Sequence, residues 1–359
     1  MYPLTITTET KTYPIYIGHQ LRFQVKSMLQ ENTISFDKIL VITDDNVAPL
    51  YLDDVIRSFN SDIVYSYIVK NGEQAKSFNN YIHIQTYAIE RNLTRNSLII
   101  ALGGGVIGDL AGFVAATFLR GVNYIQMPTT ILAHDSAVGG KVAINHDLGK
   151  NLIGSFYQPA MVMYDLETLQ TLPRRQQLAG FAELIKHALI DEDNSLLTKL
   201  QYQSLEQLFT DKVFLSEALY QGMKVKATIV NKDEKEAGIR KYLNFGHTLG
   251  HAIESETNYR VLHGEAVIIG MLFALYVSEI HFNKDLNFKG LKSWFEKLGY
   301  ETHLPTTLNP EDLVVQMKKD KKVTDNQINM VLLEEIGKPT LQTFNDETIK
   351  QFLENFYSE

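Results

Sequence analysis

Short apolar, β-branched runs alternate with amphipathic helical stretches through the first half of the chain. Lys38–Thr43 (KILVIT) predicts a strand, followed by Asp44-Asp45-Asn46 and a helical stretch to about Phe59. Ile63–Val69 predicts a second strand and Ala75–Asn92 a long amphipathic helix. Ser97–Leu102 (SLIIAL) predicts a third strand, which runs into glycines and an apolar helix from about Val106. Asn123–Met127 and Met161–Asp165 complete the strand candidates. Such alternation predicts a parallel sheet with helices on both faces. After about Thr171 helical periodicity takes over to about Leu298, leaving one late strand, Gln327–Leu333, and a terminal helix from about Glu347.

Length agrees with a division at this change of texture, since 359 residues at about 150 per domain predict two domains. The expected architecture is an α/β N-terminal domain with a parallel Rossmann-like sheet over residues 1–171. A mainly α-helical C-terminal domain follows over residues 172–359. A net charge of −8 disfavours nonspecific binding to nucleic acid or an anionic membrane surface. The chain has no cysteine, so disulfides and thiolate metal sites are excluded, and any metal must rest on His, Asp and Glu. The N-terminal stretch has no basic start followed by an apolar run, and no run of about 18 apolar residues stands out. The cytoplasm is the expected location.

Gly103 to Gly112 reads GGGVIGDLAG, directly after a strand and opening a helix. Glycines there let the backbone approach a pyrophosphate, and a helix N-terminus supplies amide donors and a favourable dipole. Three consecutive glycines depart from G-x-G-x-x-G, and tight packing alone is the alternative, but the strand-to-helix context favours the phosphate reading. Asp44 and Asn46 follow a strand end where a carboxylate could meet ribose hydroxyls, although a turn or helix cap is the commoner reason for Asp-Asp-Asn. Asn71–Lys76 (NGEQAK) also follows a strand; alone it reads as a turn with a solvated charge pair. Pro128–Asn151 holds Lys141, Lys150, Asn151 and a Gly-Gly pair, with Arg120 nearby. Long glycine-containing loops with polar groups are often binding loops, whereas surface lysines are usually only solubilising.

The second half carries stronger chemistry. Asn244 to His251 reads NFGHTLGH, which puts His247 and His251 on one helix face. His263-Gly264-Glu265 opens another apolar helix, and Glu183, Lys186 and His187 sit in a helical AELIKH run. A catalytic zinc site uses three protein ligands and an open position. Thr248 stands where the H-E-x-x-H pattern needs glutamate, so metallopeptidase chemistry of that type is not expected. The charged runs Lys226–Arg240 and Lys318–Lys322 read, taken alone, as solvated faces.

In this order the motifs GGGVIGDLAGF, FLRG, PTT, GGK, GKN, AELIKH, DE-x-E-x-G-x-R, LNFGHTLGHA and HGEAV resemble the 3-dehydroquinate synthase family of sugar phosphate cyclases, from about Asp44 to Lys322. The resemblance implies Glu183, His247 and His263 as zinc ligands, with cobalt as an alternative ion. It implies NAD+ contacts from Asp44, Asn46, Glu73, Lys76, Gly104, Gly105, Asp109, Thr129 and Thr130, completed by Thr168 and Thr171. Asp135, Lys141, Asn151, Lys186, Lys226, Arg240, Asn244 and His251 would surround the substrate in a cleft between the domains. Lys141, Lys150 and Asp135 would also lie beside the cofactor. Arg120, Lys150 and one lysine of the KKDKK run, Lys321, would meet carboxylate and phosphate. Glu236 is a further acid/base candidate from its place in the family run. The family's pattern has one more residue between Thr130 and the serine after the aspartate; here only Ile131–Asp135 intervene, which bears on Asp135.

The implied reaction converts 3-deoxy-D-arabino-heptulosonate 7-phosphate to 3-dehydroquinate and phosphate, in the shikimate route to aromatic amino acids. It proceeds by transient oxidation, phosphate elimination, re-reduction and aldol closure. A homodimer acting on a small sugar acid phosphate is expected, with no nucleic acid and no membrane partner. The rival readings are a related cyclase taking another sugar phosphate, a metal-dependent polyol dehydrogenase, and a non-enzymatic dinucleotide-binding regulator. The last would make the metal site dispensable.

Overall fold

The computed structural model describes residues 2–59, 61–319 and 327–358. It divides into two compact units, Met1–Pro173 with Val230–Lys235, and Arg174–Ile229 with Glu236–Glu359.

The first unit is built on a seven-stranded sheet. Its strands are β1 (Tyr2–Thr7), β2 (Thr12–Gly18), β3 (Ile39–Asp44), β4 (Val64–Val69), β5 (Leu98–Gly103), β6 (Asn123–Pro128) and, after two strands of a separate hairpin, β9 (Met161–Asp165). The order is β1-β2-β9-β6-β5-β3-β4, and every pairing except β1 with β2 is parallel. The central strands β5 and β9 are buried along their whole length, and β3 over Ile39–Thr43. Continuous apolar runs such as ILVIT suit strands covered on both faces. The N-terminal hairpin is an element not expected above; its outward positions mix Pro3, Thr5, Thr7, Thr12, Pro14 and Tyr16, while Tyr13, Ile15 and Ile17 turn inward along β2.

The helical stretch expected to Phe59 is a short π-turn, Ala48–Leu52, running into Asp53–Ile56. The helix after β4 runs Phe78–Glu90, and that after β5 runs Gly105–Thr117. The stretch between Pro128 and Asn151 resolves into a short helix, Ala133–Ser136, and the hairpin β7 (Lys141–His146) and β8 (Gly149–Phe156).

The second unit packs its helices around His263–Phe282, a 20-residue helix whose residues from Ala266 to Leu275 are all buried. That helix is long and apolar enough to cross a membrane, and it is the core element of this unit. Helices Arg174–Ile190 and His247–Glu256 pack on it, as does the hairpin β10 (Ile328–Glu335) and β11 (Lys338–Phe344). The late strand expected at Gln327–Leu333 is therefore half of a hairpin; the terminal helix runs Asp346–Phe356.

Glycines decide how closely the helices approach. A Cβ on Gly264 would lie 1.9 Å from the carbonyl oxygen of Ala179, and one on Gly270 would lie 1.9 Å from that of Gly246. Gly246 itself adopts φ +79, and a Cβ there would meet Met271 at 2.5 Å. Each histidine that opens a helix, His247 and His263, has one of these glycines beside it in sequence. Backbone contact at Gly264 brings the start of the His263 helix against Arg174–Ile190, and contact at Gly246 and Gly270 brings the start of the His247 helix against His263–Phe282.

Candidate active site

In the second unit, Glu183 lies on helix Arg174–Ile190 and is 1% exposed. Its Oε1 is 3.3 Å from Nε2 of His247 and 3.2 Å from Nε2 of His263. Yet Oε1 makes no well-formed hydrogen bond among the described residues. The other carboxylate oxygen accepts from the Lys186 ammonium, which is equally buried. One donor atom each from Glu183, His247 and His263 falls within 4.8 Å of the others, a set of two imidazole nitrogens and one carboxylate oxygen suited to zinc-like ions. His247 Nδ1 is 3.1 Å from the carbonyl of Phe245, and His263 Nδ1 is 2.8 Å from Oε2 of Glu254. Each ring is thus oriented through its second nitrogen, as ligating histidines usually are.

The electrostatics follow from burial and mutual charge. Burial alone would raise the Glu183 carboxyl, but Lys186 and the two imidazoles overturn that and hold it well below the usual range. Burial and the neighbouring Lys186 push His247 down to about 4, against the pull of Glu183. His263 loses charge stability by burial, but Glu183 and Glu254 more than restore it and push the ring up to about 10. A carboxylate oxygen facing two imidazoles without a good hydrogen bond fits a bound cation.

His251 stands one turn beyond His247, exposed, with its ring centroid 5.2 Å from that of His247 and 5.8 Å from that of His263. Lys226 and Arg240 are buried, at 6% and 1% exposure. Asn244 donates to Glu236 Oε1 at 2.9 Å, and Glu236 adopts a left-handed φ of 61. Lys321 lies outside the described residues. Glu254 was not singled out by spacing, although it shares a helix face with His247 and His251, seven and three residues on.

In the first unit, the turn after β5 brings Gly103–Gly105 beside Thr129 and Thr130. Gly104 caps the helix Gly105–Thr117, and a Cβ on it would lie 3.1 Å from Thr130 Cγ2. A Cβ on Gly105 would lie 3.0 Å from Ser136 Oγ. The hydroxyls of Thr129 and Ser136 are buried without a hydrogen-bond partner among the described residues. Open glycine backbone, a helix N-terminus and two buried hydroxyls without partners fit a pyrophosphate-bearing cofactor.

The other expected site residues of the first unit have these local surroundings. Asp44 Oδ1 accepts from the amides of Asn46 and Val47, each at 2.9 Å, which is the capping turn considered above. Thr168 donates to the Asp165 carbonyl, and the Thr171 hydroxyl shares a hydrogen bond with Tyr51. Lys76 is 3% exposed; its ammonium donates to Asp109 Oδ2 at 2.7 Å and to Asn151 Oδ1, and lies 3.6 Å from Glu73. The NGEQAK stretch is therefore a buried charge cluster and not a solvated pair. Lys141 begins β7 and is exposed, while Lys150 lies on β8. Arg120 is exposed in a turn with φ 70. Asp135 sits in the short helix Ala133–Ser136, where the preceding His134 is fully buried with Nδ1 2.6 Å from the Ile131 carbonyl.

Two family models match this chain, described as 3-dehydroquinate synthase N-terminal over residues 66–179 and 3-dehydroquinate synthase C-terminal over residues 180–323. A 3-dehydroquinate synthase of Bacillus pumilus (strain SAFR-032) is 46% identical over 361 residues, spanning 100% of this chain and 99% of the relative. Another from Geobacillus kaustophilus (strain HTA426) is 48% identical over 362 residues, spanning 99% and 98%. Among solved structures, a 2-deoxy-scyllo-inosose synthase complexed with carbaglucose-6-phosphate, NAD+ and Co2+ superposes with TM-score 0.87 at 25% identity, covering 99% of this chain and 100% of that one.

Proposed function

This chain belongs to the 3-dehydroquinate synthase family, and we propose that it converts 3-deoxy-D-arabino-heptulosonate 7-phosphate to 3-dehydroquinate and phosphate. The observation that carries the reading is the buried Glu183 oxygen facing His247 and His263, with Lys186 behind it. Curated relatives of that name, at 46–48% identity along the whole chain, favour this substrate over those of other cyclases.

We infer that Glu183, His247 and His263 hold the divalent ion, zinc or cobalt. The first unit would bind NAD+ at the Gly103–Gly105 turn, with Thr129 and Thr130 beside it. When bound, the cofactor supplies reversible oxidation of a substrate hydroxyl and the ion makes that hydroxyl more acidic. His251, exposed one turn past His247, would accept the hydroxyl proton, with Glu236 as a second acid/base group. A ketone next to the C6 proton makes it acidic, which allows phosphate to leave. Lys141, Lys150 and Arg120 would meet the anionic ends of the substrate, and Lys186, Lys226 and Arg240 would offset its negative charge. We infer a homodimer and a cytoplasmic location from the family resemblance.

Incubation with the heptulosonate phosphate, following phosphate release and NADH absorbance together, tests the reading. Phosphate release with no net NADH is expected. Steady NADH accumulation would mark a polyol dehydrogenase, and turnover only of a different sugar phosphate would mark a sister cyclase. The site is tested separately: His263→Ala should lower bound metal from about one ion per chain to near none, measured by elemental analysis, and abolish phosphate release.

A further inference from the structure

Residues 230–235 belong to the first unit although the chain around them belongs to the second. A small polar cluster holds them there. Asn231 Oδ1 accepts from the amide of Thr7 at 3.0 Å. Glu234, 5% exposed, accepts from the Thr10 hydroxyl at 2.5 Å and the Thr10 amide at 3.3 Å. Its Oε1 also accepts from Gln158 Nε2 at 2.8 Å.

Gln158 in turn lies against a turn of two glycines. Gly139 and Gly140 have φ of 94 and 65, and a Cβ on Gly140 would lie 2.6 Å from Gln158 Cδ and 2.7 Å from its Oε1. Gln158 is 4% exposed, and that oxygen has no hydrogen-bond partner among the described residues. The amide is therefore oriented through its nitrogen, by Glu234. From the other side, Gly139 N donates to the buried Tyr13 hydroxyl at 3.2 Å, and Gly140 O accepts from Tyr157 N at 2.7 Å. The next residue is Lys141, the first of β7, paired in register with Phe156.

We propose that Glu234 is a positioning residue, which orients Gln158 beneath the Gly139–Gly140 turn and so sets where Lys141 leaves the scaffold. The physical reason is the glycine turn itself. Two consecutive positive-φ glycines have many conformations open to them, so the placement of Lys141 depends on what packs against the turn. A carboxylate accepting a charge-assisted hydrogen bond holds an amide more firmly than a neutral acceptor does. The proposal rests on the reading that Lys141 meets the substrate's anionic end.

A double-mutant cycle tests it. Glu234→Ala should lower kcat/KM for phosphate release by up to about 10²-fold through misplacement of Lys141. NAD+ affinity, measured calorimetrically, should stay within a few-fold of wild type. Glu234→Gln, which keeps an acceptor oxygen but not its charge, should recover part of the loss. In a Lys141→Met background, Glu234→Ala should cost little further, because the group it positions is gone. Additive losses would overturn the proposal. Gln158→Ala should reproduce the effect, and it decides the matter should Glu234→Ala not fold. Hydrogen exchange at residues 139–142 reads the turn without substrate: faster exchange in Glu234→Ala is expected, and wild-type exchange overturns the proposal. Wild-type protein that releases no phosphate sinks the functional reading instead, and the exchange pattern still decides whether Glu234 holds the turn.

Discussion

Each unit buries a cluster of charge, around Lys76 in the first and around Glu183 in the second, and the two clusters are finished differently. Around Lys76 in the first unit, the ammonium meets Asp109, Asn151 and the nearby Glu73. Burial would lower the Lys76 ammonium, but the two carboxylates more than compensate and raise it. Around Glu183 in the second unit, one oxygen is taken by Lys186, while the other faces two imidazole nitrogens without a good hydrogen bond. Burying a charge costs several kcal/mol unless partners recover it, so both clusters must be compensated. The first is compensated by the chain's own groups. The second converges donor atoms that a cation would complete.

The comparison can be broken most severely at the glycines. Gly264→Ala would press a Cβ to 1.9 Å from the Ala179 carbonyl and force apart the helices that carry Glu183 and His263. Destabilisation above about 4 kcal/mol is expected, seen as loss of cooperative thermal unfolding and of bound metal together. In the first unit, Lys76→Met removes the ammonium that Asp109 accepts from and should cost about 3–5 kcal/mol by denaturant titration. Adding Asp109→Leu to that variant should recover part of the loss, since apolar groups of similar volume can replace an ion pair.

Metal removal sharpens the contrast. With free ion at about 100 times its Kd, the wild-type protein should gain about 2.7 kcal/mol over chelator-treated protein, while Glu183→Gln should gain almost nothing. Glu254→Gln keeps every ligand but loosens the hold on His263 Nδ1, and should weaken metal binding about 10–100-fold in a competition titration. The smallest effect is a proton count. In the ion-free chain His263, at about 10, is charged at neutral pH, whereas His247, at about 4, is neutral. Stability that His263 gains from its carboxylate partners is present below its unfolded pKa and is lost as pH rises through about 10. An ion taking its Nε2 must therefore displace that proton, so calorimetry near pH 7 in buffers of different ionisation enthalpy should report release of about one proton per ion.

Where local pattern and final environment agree, the sequence alone was enough. The apolar runs at Ile39–Asp44, Leu98–Gly103 and Met161–Asp165 are parallel strands because nothing polar interrupts a stretch covered on both faces. The helix-opening histidines, the glycine turn after β5 and the absence of cysteine already pointed to a nitrogen-and-oxygen metal centre and a dinucleotide. The N-terminal hairpin and β7–β8 pair their own strands locally, but what they pack on, β9 for β2 and the helix Gly105–Thr117 for β7, is distant in sequence. For the same reason no spacing rule revealed that Lys76 is buried against Asp109 and Asn151, or that Glu234 holds Gln158. The sequence by itself determined which atoms could bind an ion or a phosphate. Tertiary structure decided which of them meet: hydrogen bonds and burial join residues up to 224 positions apart, as between Thr10 and Glu234, and no local periodicity encodes such pairings.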